Sequence, residues 1–332
     1  MMKNIHKFLR TADWLDSKIP FMISIALFLY VFSGAEMQWC ELYAKLGAYF
    51  LHTSMFLAFS YVINDFTDID VDIKAGKKKV MHRMSKILII ISMIAMILVS
   101  TIPMFYVVEN KVIFAFYAGF MYLTGAAYSV HWLFRFKERG LIGLIECSVA
   151  QKCLPLLPLM NLLQTKWYYL ALFTIISFIN GLRYILIHQV VDYENDIKSG
   201  VKTFVSEGHN KYRVAILISF LIECIFMSIA FIRIGIEYYF IFVILIVYCV
   251  FEKIISVVVI NYMKVDWFCT FLAVPLESLY NVFFPISMAI VITLRNGNMF
   301  GVLVFLVLLT ANCFKGKMAF IKVYIKLKVD NM

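Results

Sequence analysis

Long apolar runs, separated by short polar segments, alternate along almost the whole chain. A helix of roughly 20 predominantly apolar residues crosses a bilayer, and it satisfies its own backbone hydrogen bonds there. Glu252 and Lys253 interrupt a run that stays apolar to Met263, so the count is either nine or ten spans. The ten predicted spans are residues 20–34, 44–64, 87–108, 112–132, 141–163, 167–191, 214–232, 238–258, 268–294 and 298–314. We therefore expect an all-α polytopic membrane protein.

Composition supports a membrane protein and excludes two other classes. The chain is 63% hydrophobic and only 16% charged, whereas soluble domains carry about 25% charged residues. Its 7 Cys residues include no CxxC pair, so neither a zinc site nor a disulfide framework is indicated. No linker rich in Pro, Gly or Ser divides the chain. We expect a single membrane-embedded domain over residues 1–332, with 1–19 as an N-terminal segment and 315–332 as a basic C-terminal tail.

The basic residues are unevenly distributed between the two sides of the predicted membrane domain. Most of the 31 Lys and Arg residues fall in every second connecting segment. These segments are residues 1–19, 65–86, 133–140, 192–213, 252–266 and 315–332. Basic loops stay on the cytoplasmic side, so these segments are predicted to be cytoplasmic. A net charge of +10 would suggest nucleic-acid binding in a soluble protein, but here the charges follow the topology. We therefore predict contact with membrane lipid and none with nucleic acid.

Acidic residues gather at the predicted cytoplasmic ends of the second and sixth spans. The first acidic cluster holds Asn64, Asp65, Asp68, Asp70 and Asp72, and the second acidic cluster holds Asp192, Glu194 and Asp196. Members four residues apart share one face if the helix continues. Carboxylates this close repel one another unless cations neutralise them. Mg²⁺ bound to a diphosphate does this, because it takes one or two carboxylates and fills its shell with phosphate oxygens.

Charged helix ends that emerge into water are the plain alternative to a binding site. For one acidic cluster alone, that alternative is the better interpretation. Two clusters on the same predicted side, each joined to a long apolar span, favour a diphosphate site at the membrane surface.

The clusters also match two sequence motifs. Asn64-Asp65-x2-Asp68-x3-Asp72 is an NDxxDxxxD motif, and Asp192-x3-Asp196-x3-Gly200-x-Lys202-Thr203 fits DxxxDxxxGxK(S/T). Together they resemble the signatures of the UbiA-type intramembrane prenyltransferase superfamily. A third fragment, Tyr128-Ser129 followed by Arg135 to Arg139, is similar to a Tyr-Ser…Arg-x-Lys element of that superfamily. Here the basic part comes one residue late, and His131-Trp132 replaces a common Pro pair. The resemblance extends over most of residues 5–295.

This resemblance implies a fold, a reaction and a set of residues. It implies nine or ten helices around a central cavity, in a bacterial cell membrane, with the active site facing the cytoplasm. The implied reaction is Mg²⁺-dependent transfer of an isoprenyl group from an allylic prenyl diphosphate to an aromatic or other lipophilic acceptor. The implied metal ligands and catalytic residues are Asp65, Asp68, Asp72, Asp192 and Asp196. The implied substrate-binding residues are Asn64, Tyr128, Ser129, Lys137 and Lys202.

Polar residues inside the sixth span add two candidates for substrate binding. Polar groups in a bilayer are costly, so each needs a partner or a function. His188 lies one turn before Asp192, on a polar stripe that leads from mid-membrane to the second acidic cluster. It either faces the acceptor pocket or bonds a neighbouring helix. Arg183 lies beside the stripe, and we expect it to contact the acceptor or a buried carboxylate such as Glu146.

A secondary transporter or channel with cytoplasmic acidic clusters is the alternative function. Such a protein is expected to carry carboxylates near mid-membrane and helices broken there by Gly or Pro. The chain has only 6 Pro, and its aspartates gather at one surface, which favours the enzyme. A degenerate family member acting as a binding subunit is a third interpretation, and the intact motif aspartates disfavour it. The acceptor, the prenyl chain length and the oligomeric state follow from none of these patterns.

Overall fold

The computed structural model shows a helical protein, as the apolar runs predict. It describes residues 2–34, 36–74, 76, 79–130, 134–199, 203–207, 211–262, 276–313 and 315, and no strand occurs among these residues. In chain order the helices are α1 (Met2–Phe8), α2 (Ile19–Ser33), α3 (Trp39–Thr67), α4 (Ile69–Lys74), α5 (Lys86–Val107), α6 (Lys111–Ser129), α7 (Gly140–Leu163), α8 (Trp167–Ser199), α9 (Tyr212–Glu237), α10 (Ile241–Tyr262), α11 (Leu276–Arg295) and α12 (Gly297–Cys313).

Seven helices in the described part are long and apolar enough to cross a membrane. They are α3, α5, α6, α7, α8, α9 and α11. Two further apolar helices, α2 and α12, are shorter. The predicted all-helical membrane fold is therefore confirmed, whereas the predicted count of nine or ten spans stays a prediction. The predicted division into one domain with a basic tail at 315–332 also stays a prediction, since all but one of those tail residues lie outside the described part.

Helix α2 forms the centre of the bundle. A helix that is apolar on every side must be surrounded by other helices, and α2 is buried along almost its whole length. Ile25, Leu27 and Phe28 are fully enclosed. The helix packs against α3, α7 and α11. In contrast, α5 packs along α3 on one face and leaves Ile87 and Ile91 exposed on the other, as expected for a helix at the lipid boundary.

Helix α7 departs from regular geometry in its middle. Its first part ends at Ser148, and a π-helical turn over Val149–Cys153 follows. A 3₁₀ turn over Leu154–Leu156 then accommodates Pro155, which has no backbone N–H to donate. Single π turns inside helices often occur at functional sites. In α7 this irregular part carries Gln151, which reaches the cavity described below.

The helices that carry the acidic clusters run beyond the apolar spans. The predicted sixth span ends at residue 191, and helix α8 continues beyond it to Ser199. Helix α3 continues to Thr67, where the predicted span ends at residue 64. Apolar patterning marks where the bilayer ends, and a helix can continue into water past that point. Both acidic clusters therefore begin on helices that are anchored in the bundle.

Candidate active site

The first acidic cluster lies where α3 ends and α4 begins. Asp68 caps α3, and its backbone N–H donates to the Asn64 carbonyl oxygen at 3.2 Å. The N–H of Asp72 then donates to the Asp68 carbonyl oxygen at 2.8 Å. The four-residue hydrogen-bond spacing therefore persists through the junction between the helices. Asp70 is exposed, in agreement with the expectation that it points away from the other members.

Asp68 is held by a basic loop that follows α6. Lys137 Nζ donates to both carboxylate oxygens of Asp68 at 2.6 Å, and it also donates to Asn64 Oδ1 at 3.1 Å. Arg135 Nη2 approaches Asp68 Oδ1 at 3.5 Å. Burial lowers the pKa of Lys137, although the hydrogen bond to Asp68 opposes the shift. The Lys137 ammonium thus joins the amide and a carboxylate of the first acidic cluster.

Asp65 and Asp72 share a second lysine. Both carboxylates are buried, and Lys79 Nζ contacts Asp65 Oδ1 at 2.7 Å and Asp72 Oδ2 at 2.5 Å. Arg10 Nη1 approaches Asp65 Oδ1 at 3.3 Å. Burial by itself would lower the pKa of Lys79, but the hydrogen bonds and charges of the two aspartates outweigh it, and the pKa is raised. Each aspartate of this cluster that is buried or half-buried therefore faces a cation.

The second acidic cluster is more open. His188 Nδ1 lies 3.0 Å from Asp192 Oδ2, and the two side chains are 62% and 46% exposed. Glu194 is also exposed. The backbone of Asp196 belongs to α8, but its side chain lies outside the described part of the structure, as does the whole of Lys202. This contact lies within one helix, so it is neither of the two alternatives expected for His188, which also lines the cavity described below.

A cavity of about 490 Å³ joins the two acidic clusters. The predicted site residues that line it are Asn64, Asp68, Asp72, Tyr128, Lys137, His188 and Asp192. The other residues that line it are Arg10, Lys18, Ser60, Tyr61, Gly125, Arg135, Glu138, Glu146, Cys147, Ala150, Gln151, Tyr184, Ile185, Gln189 and Thr203. Carboxylates from the junction between α3 and α4, from α4 and from α8 thus face one space. Basic side chains from the N-terminal segment and from the loop before α7 face it too.

Comparison with known proteins identifies the family of the chain. The model of the UbiA prenyltransferase family matches residues 21–274. The chain belongs to the UbiA prenyltransferase family. It is therefore a prenyltransferase, and the prediction of an enzyme is confirmed. The alternative of a transporter or channel is not needed to explain the acidic clusters. In sequence, no curated protein matches the chain.

Solved structures of UbiA homologs share the fold. A UbiA homolog from Archaeoglobus fulgidus bound to GPP and Mg²⁺ has a TM-score of 0.56 at 18% identity, covering 86% of this chain and 99% of the homolog. The same homolog bound to DMAPP and Mg²⁺ gives 0.56 at 17% identity, with the same coverage. The apo structure of a UbiA homolog from Aeropyrum pernix K1 gives 0.55 at 12% identity, covering 80% of this chain and 96% of the homolog. At these identities the likeness concerns the fold.

Two of the predicted site residues that do not line the cavity of this UbiA-family chain contact residues that do. Ser129 is buried, and its Oγ donates to Asn64 Oδ1 at 3.1 Å. It therefore orients the Asn64 amide. Asp65 is buried against Arg10 and Lys79. Both residues act on the cavity through neighbours that line it, namely Asn64 and Arg10.

Arg183 is paired with a buried carboxylate and does not line the cavity. Its Nε donates to Glu223 Oε1 at 2.6 Å, and its Nη2 donates to Glu223 Oε2 at 3.1 Å. Asn180 Nδ2 at 3.3 Å and Tyr280 OH at 2.8 Å donate to the same carboxylate. This buried network ties α8, α9 and α11 together. A buried carboxylate was one of the two expected partners of Arg183, but the carboxylate is Glu223 on the next helix and not Glu146. No spacing in the sequence reveals that contact.

The cavity residues that sequence reasoning missed include two basic residues and a tyrosine. Arg10 and Lys18 belong to the N-terminal segment, where basic residues were attributed to membrane topology. A left-handed backbone conformation at Arg10, with φ of 51°, ends the short N-terminal helix and precedes the turn that leads into α2. Tyr61 lies three residues before Asn64, so it shares a face with the first acidic cluster, and that spacing could have identified it.

The carboxylates fit a Mg²⁺ ion that is bridged by phosphate. Among the described side chains, no three His, Cys, Asp or Glu residues lie close enough to hold a metal ion by themselves. Mg²⁺ does not need such a group, because it keeps water and phosphate oxygens in its shell and takes only one or two carboxylates. Asp68, Asp72 and Asp192 supply carboxylates from two sides of the same cavity.

Proposed function

We propose that this protein transfers an isoprenyl group from an allylic prenyl diphosphate to an aromatic or other lipophilic acceptor, with Mg²⁺, at the cytoplasmic side of a bacterial cell membrane. The observation that carries the proposal is the single cavity lined by carboxylates of both acidic clusters and by Arg10, Lys18 and Lys137. A diphosphate site needs both kinds of side chain, because carboxylates hold the metal ions and basic side chains share the negative charge of the phosphates with those ions. The GPP and Mg²⁺ bound by the Archaeoglobus homolog support this ligand class.

The basic residues around the cavity suit the departure of a diphosphate. Negative charge builds on the leaving group as its C–O bond breaks, and preorganised cations stabilise that charge. Lys137 carries a compact ammonium on the loop beside Asp68, and Arg10 and Arg135 carry guanidinium groups that bind phosphate through two nitrogens. Mg²⁺, when bound, neutralises further charge on the same phosphates. Asp65, Asp68, Asp72, Asp192 and Asp196 are the proposed ligands, and Asn64 and Lys202 are proposed to contact the substrate.

The walls of the cavity are suited to the allylic cation that remains when the diphosphate has left. An allylic cation survives only where water is excluded, and its charge is stabilised by aromatic faces. Tyr61, Tyr128 and Tyr184 line the cavity between the two acidic clusters. The apolar helices around them keep bulk water away and let a long isoprenyl chain extend into lipid. The acceptor would then attack the cation from within this same space.

The test is prenyl transfer by the purified chain in detergent or nanodiscs. Radiolabelled DMAPP and GPP are incubated with a panel of lipophilic acceptors, in Mg²⁺ or in EDTA, and the products are separated by chromatography. We expect a labelled product in Mg²⁺, none in EDTA, and recovery when Mg²⁺ is restored. Equal turnover in EDTA, or full activity in an Asp68→Ala, Asp192→Ala double variant, would contradict the proposal.

The proposed side of the membrane has its own test. Asp70 and Glu194 are exposed members of the two acidic clusters. Cys40 is exposed at the N-terminal end of α3, whereas the first acidic cluster lies at the C-terminal end of that helix. Variants with a single cysteine at each position are labelled with a membrane-impermeant maleimide in intact cells and in inverted vesicles. Cysteines at positions 70 and 194 should react only in inverted vesicles, and Cys40 only in cells. The opposite pattern would place the site outside.

A further inference from the structure

A groove outside the candidate active site lies between α1 and the first half of α5. Its volume is about 460 Å³, and its walls come from α1, α3, α5 and the turn over residues 80–84. All of its lining residues are apolar except Asn4 and Ser92. Ser92 donates its hydroxyl to the Leu88 carbonyl oxygen of its own helix at 2.8 Å, so that hydroxyl is already satisfied. This space, named here the α1 groove, is therefore suited to an apolar chain.

The α1 groove follows α5 through the depth of one leaflet. Leu88 and Val99 line its two ends on α5, about 16 Å apart at 1.5 Å per residue. Both are nearly half exposed, whereas Met96 between them is buried and forms the floor. The hydrocarbon core of a bilayer is about 30 Å thick, so the groove covers roughly half of it. One acyl chain of a lipid spans one leaflet, and it matches the groove in length and in polarity.

Basic side chains surround the end of the α1 groove at which α5 begins. Lys7, Arg83 and Lys86 are exposed, and each lies within two residues of a lining residue in the sequence. Residues 1–12 and 73–108 contain no Asp or Glu, so neither segment supplies a carboxylate that could neutralise them. Basic residues at the membrane surface attract anionic lipid headgroups. The apolar groove and the basic residues at its end are therefore complementary to the two parts of an anionic lipid.

The walls of the α1 groove continue into the first acidic cluster. No described residue lines both the groove and the cavity between the two acidic clusters. Leu9 lines the groove, and the next residue, Arg10, approaches Asp65 at 3.3 Å. Val80 lines the groove, and the preceding residue, Lys79, contacts Asp65 at 2.7 Å. A molecule that fills the groove thus packs against both segments that present cations to Asp65.

We propose that the α1 groove binds an acyl chain of one anionic phospholipid from the surrounding membrane, with the lipid phosphate beside Lys7, Arg83 and Lys86. The bound lipid packs between α1, the turn over residues 80–84 and α5, and it thereby holds Arg10 and Lys79 next to the first acidic cluster. The prenyl diphosphate is not the proposed occupant, because the aspartates proposed to hold its diphosphate do not line this groove. The inference does not rest on the proposed prenyl transfer.

Native mass spectrometry of the full-length chain in detergent, after removal of lipid, tests the binding. The probes are phosphatidylglycerol and phosphatidylcholine with the same acyl chains. The wild type should retain one phosphatidylglycerol roughly tenfold more than phosphatidylcholine, since each basic side chain close to an anionic headgroup contributes about fivefold. Equal retention of the two lipids would overturn the proposal. Displacement of phosphatidylglycerol by GPP without Mg²⁺ would overturn it too, because the groove would then take the prenyl chain.

A variant that fills the α1 groove tests the position of the acyl chain. Ala95 lines the groove and is exposed, so Ala95→Phe places a ring in that space without displacing the buried core. This variant should lose the retained phosphatidylglycerol. The matched control is Ile94→Phe, because Ile94 is exposed on the same helix and does not line the groove. Retention by Ala95→Phe, or an equal loss in Ile94→Phe, would show that the lipid does not bind there.

A second variant tests the contact with the headgroup. In the double variant Arg83→Gln, Lys86→Gln the preference for phosphatidylglycerol over phosphatidylcholine should fall by at least about fivefold, because two cations near the phosphate are lost. The control is Lys166→Gln, Lys211→Gln, which removes two exposed lysines that are distant in sequence from every residue lining the groove. An unchanged preference in the first double variant, or the same loss in the control, would refute the assigned headgroup contacts.

Hydrogen exchange tests whether the lipid holds the two segments in place. Phosphatidylglycerol should slow amide exchange in residues 4–9 and 80–84 of the wild type, but not in Ala95→Phe. Helix α6 does not line the groove, so exchange in residues 111–129 is the internal control. Unchanged exchange in both segments would contradict the proposed effect on Arg10 and Lys79. None of these readouts uses turnover, so a failure of the lipid site and a failure of the proposed prenyl transfer are distinguished.

Discussion

The two acidic clusters differ in how their charge is balanced. The carboxylates of Asp65, Asp68 and Asp72 are buried or half-buried, and each contacts a lysine or arginine at 3.5 Å or less. Asp192 in the second acidic cluster is half-exposed, and its described partner is His188 on the same helix. The first cluster is thus organised by basic side chains from distant parts of the chain, whereas the described part of the second is organised only locally.

This difference shows how a protein can stabilise buried carboxylates in its fold and still offer a site for a charged ligand. Buried carboxylates without cations would destabilise the fold, so the first acidic cluster requires Lys79 and Lys137 even before a ligand arrives. The exposed Asp192 has no such requirement, because water solvates it. We infer that the first cluster presents a preformed half of the site and that the second completes it when metal and diphosphate bind.

The largest effect is expected when a carboxylate of either cluster is neutralised. Asp68→Asn and Asp192→Asn should each lower the rate of prenyl transfer on the order of 10²- to 10³-fold, because each removes charge that faces the diphosphate site. Asp70→Asn and Glu194→Gln are the matched controls, since both residues are exposed and do not line the cavity. Steady-state transfer assays decide the comparison. Control variants as inactive as the others would show that the cavity does not define the site.

A smaller effect is expected from the lysine that spans Asn64 and Asp68. Lys137→Ala should raise the Michaelis constant for the prenyl diphosphate about tenfold and leave the constant for the acceptor little changed, because one charged contact is lost. Lys137→Arg should recover part of the loss, since the charge is kept but the geometry differs. Michaelis constants for both substrates are the measurement. A change confined to the acceptor constant would refute this placement of Lys137.

The first acidic cluster should depend on its cations for stability. Lys79→Met leaves Asp72 without the lysine contact and Asp65 with Arg10, so unfolding should become easier by about 1–3 kcal/mol. Mg²⁺ should stabilise this variant more than the wild type, because the ion can replace the missing charge. Thermal unfolding with and without Mg²⁺ measures both effects. A variant as stable as the wild type would mean that the cluster is not held by Lys79.

The smallest effect is expected at the local contact of the second acidic cluster. His188→Ala removes an exposed pair from one turn of α8, and such pairs contribute roughly 0–1 kcal/mol. The unfolding temperature should therefore stay within the error of the wild type. A large loss of stability in His188→Ala would contradict the difference drawn between the two acidic clusters, because it would show that the second cluster also stabilises the fold.

Sequence patterns predicted the helical class and the two acidic clusters, because both follow from local rules. Apolar runs mark spans, and spacing of four marks a face, which is why Asn64, Asp68 and Asp72 meet one cavity as expected. The partners of these residues could not be predicted in the same way. Lys79 and Arg10 reach Asp65 across 14 and 55 residues of chain, and packing alone brings them there.

The contacts of Lys18 and Arg183 illustrate the same limit of local patterns. Lys18 donates a hydrogen bond to Gln151, which lies 133 residues further along the chain. Gln151 lies on the π turn of α7, and the pattern of apolar residues does not predict that turn. Arg183 was expected to need a partner in the bilayer, and it has one, but Glu223 follows it by 40 residues on another helix. Charge inside a span therefore predicted that a contact exists, and only the fold identified the contact.

A double-mutant cycle between the two clusters tests the central claim most directly, namely that both hold one ligand. Binding of GPP in Mg²⁺ is measured by calorimetry for the wild type, Asp68→Asn, Asp192→Asn and the double variant. If one ligand bridges both clusters, the double variant should be little weaker than the worse single variant, with a coupling free energy above about 1 kcal/mol. Losses that add to within about 0.5 kcal/mol would show two independent sites and would contradict the account.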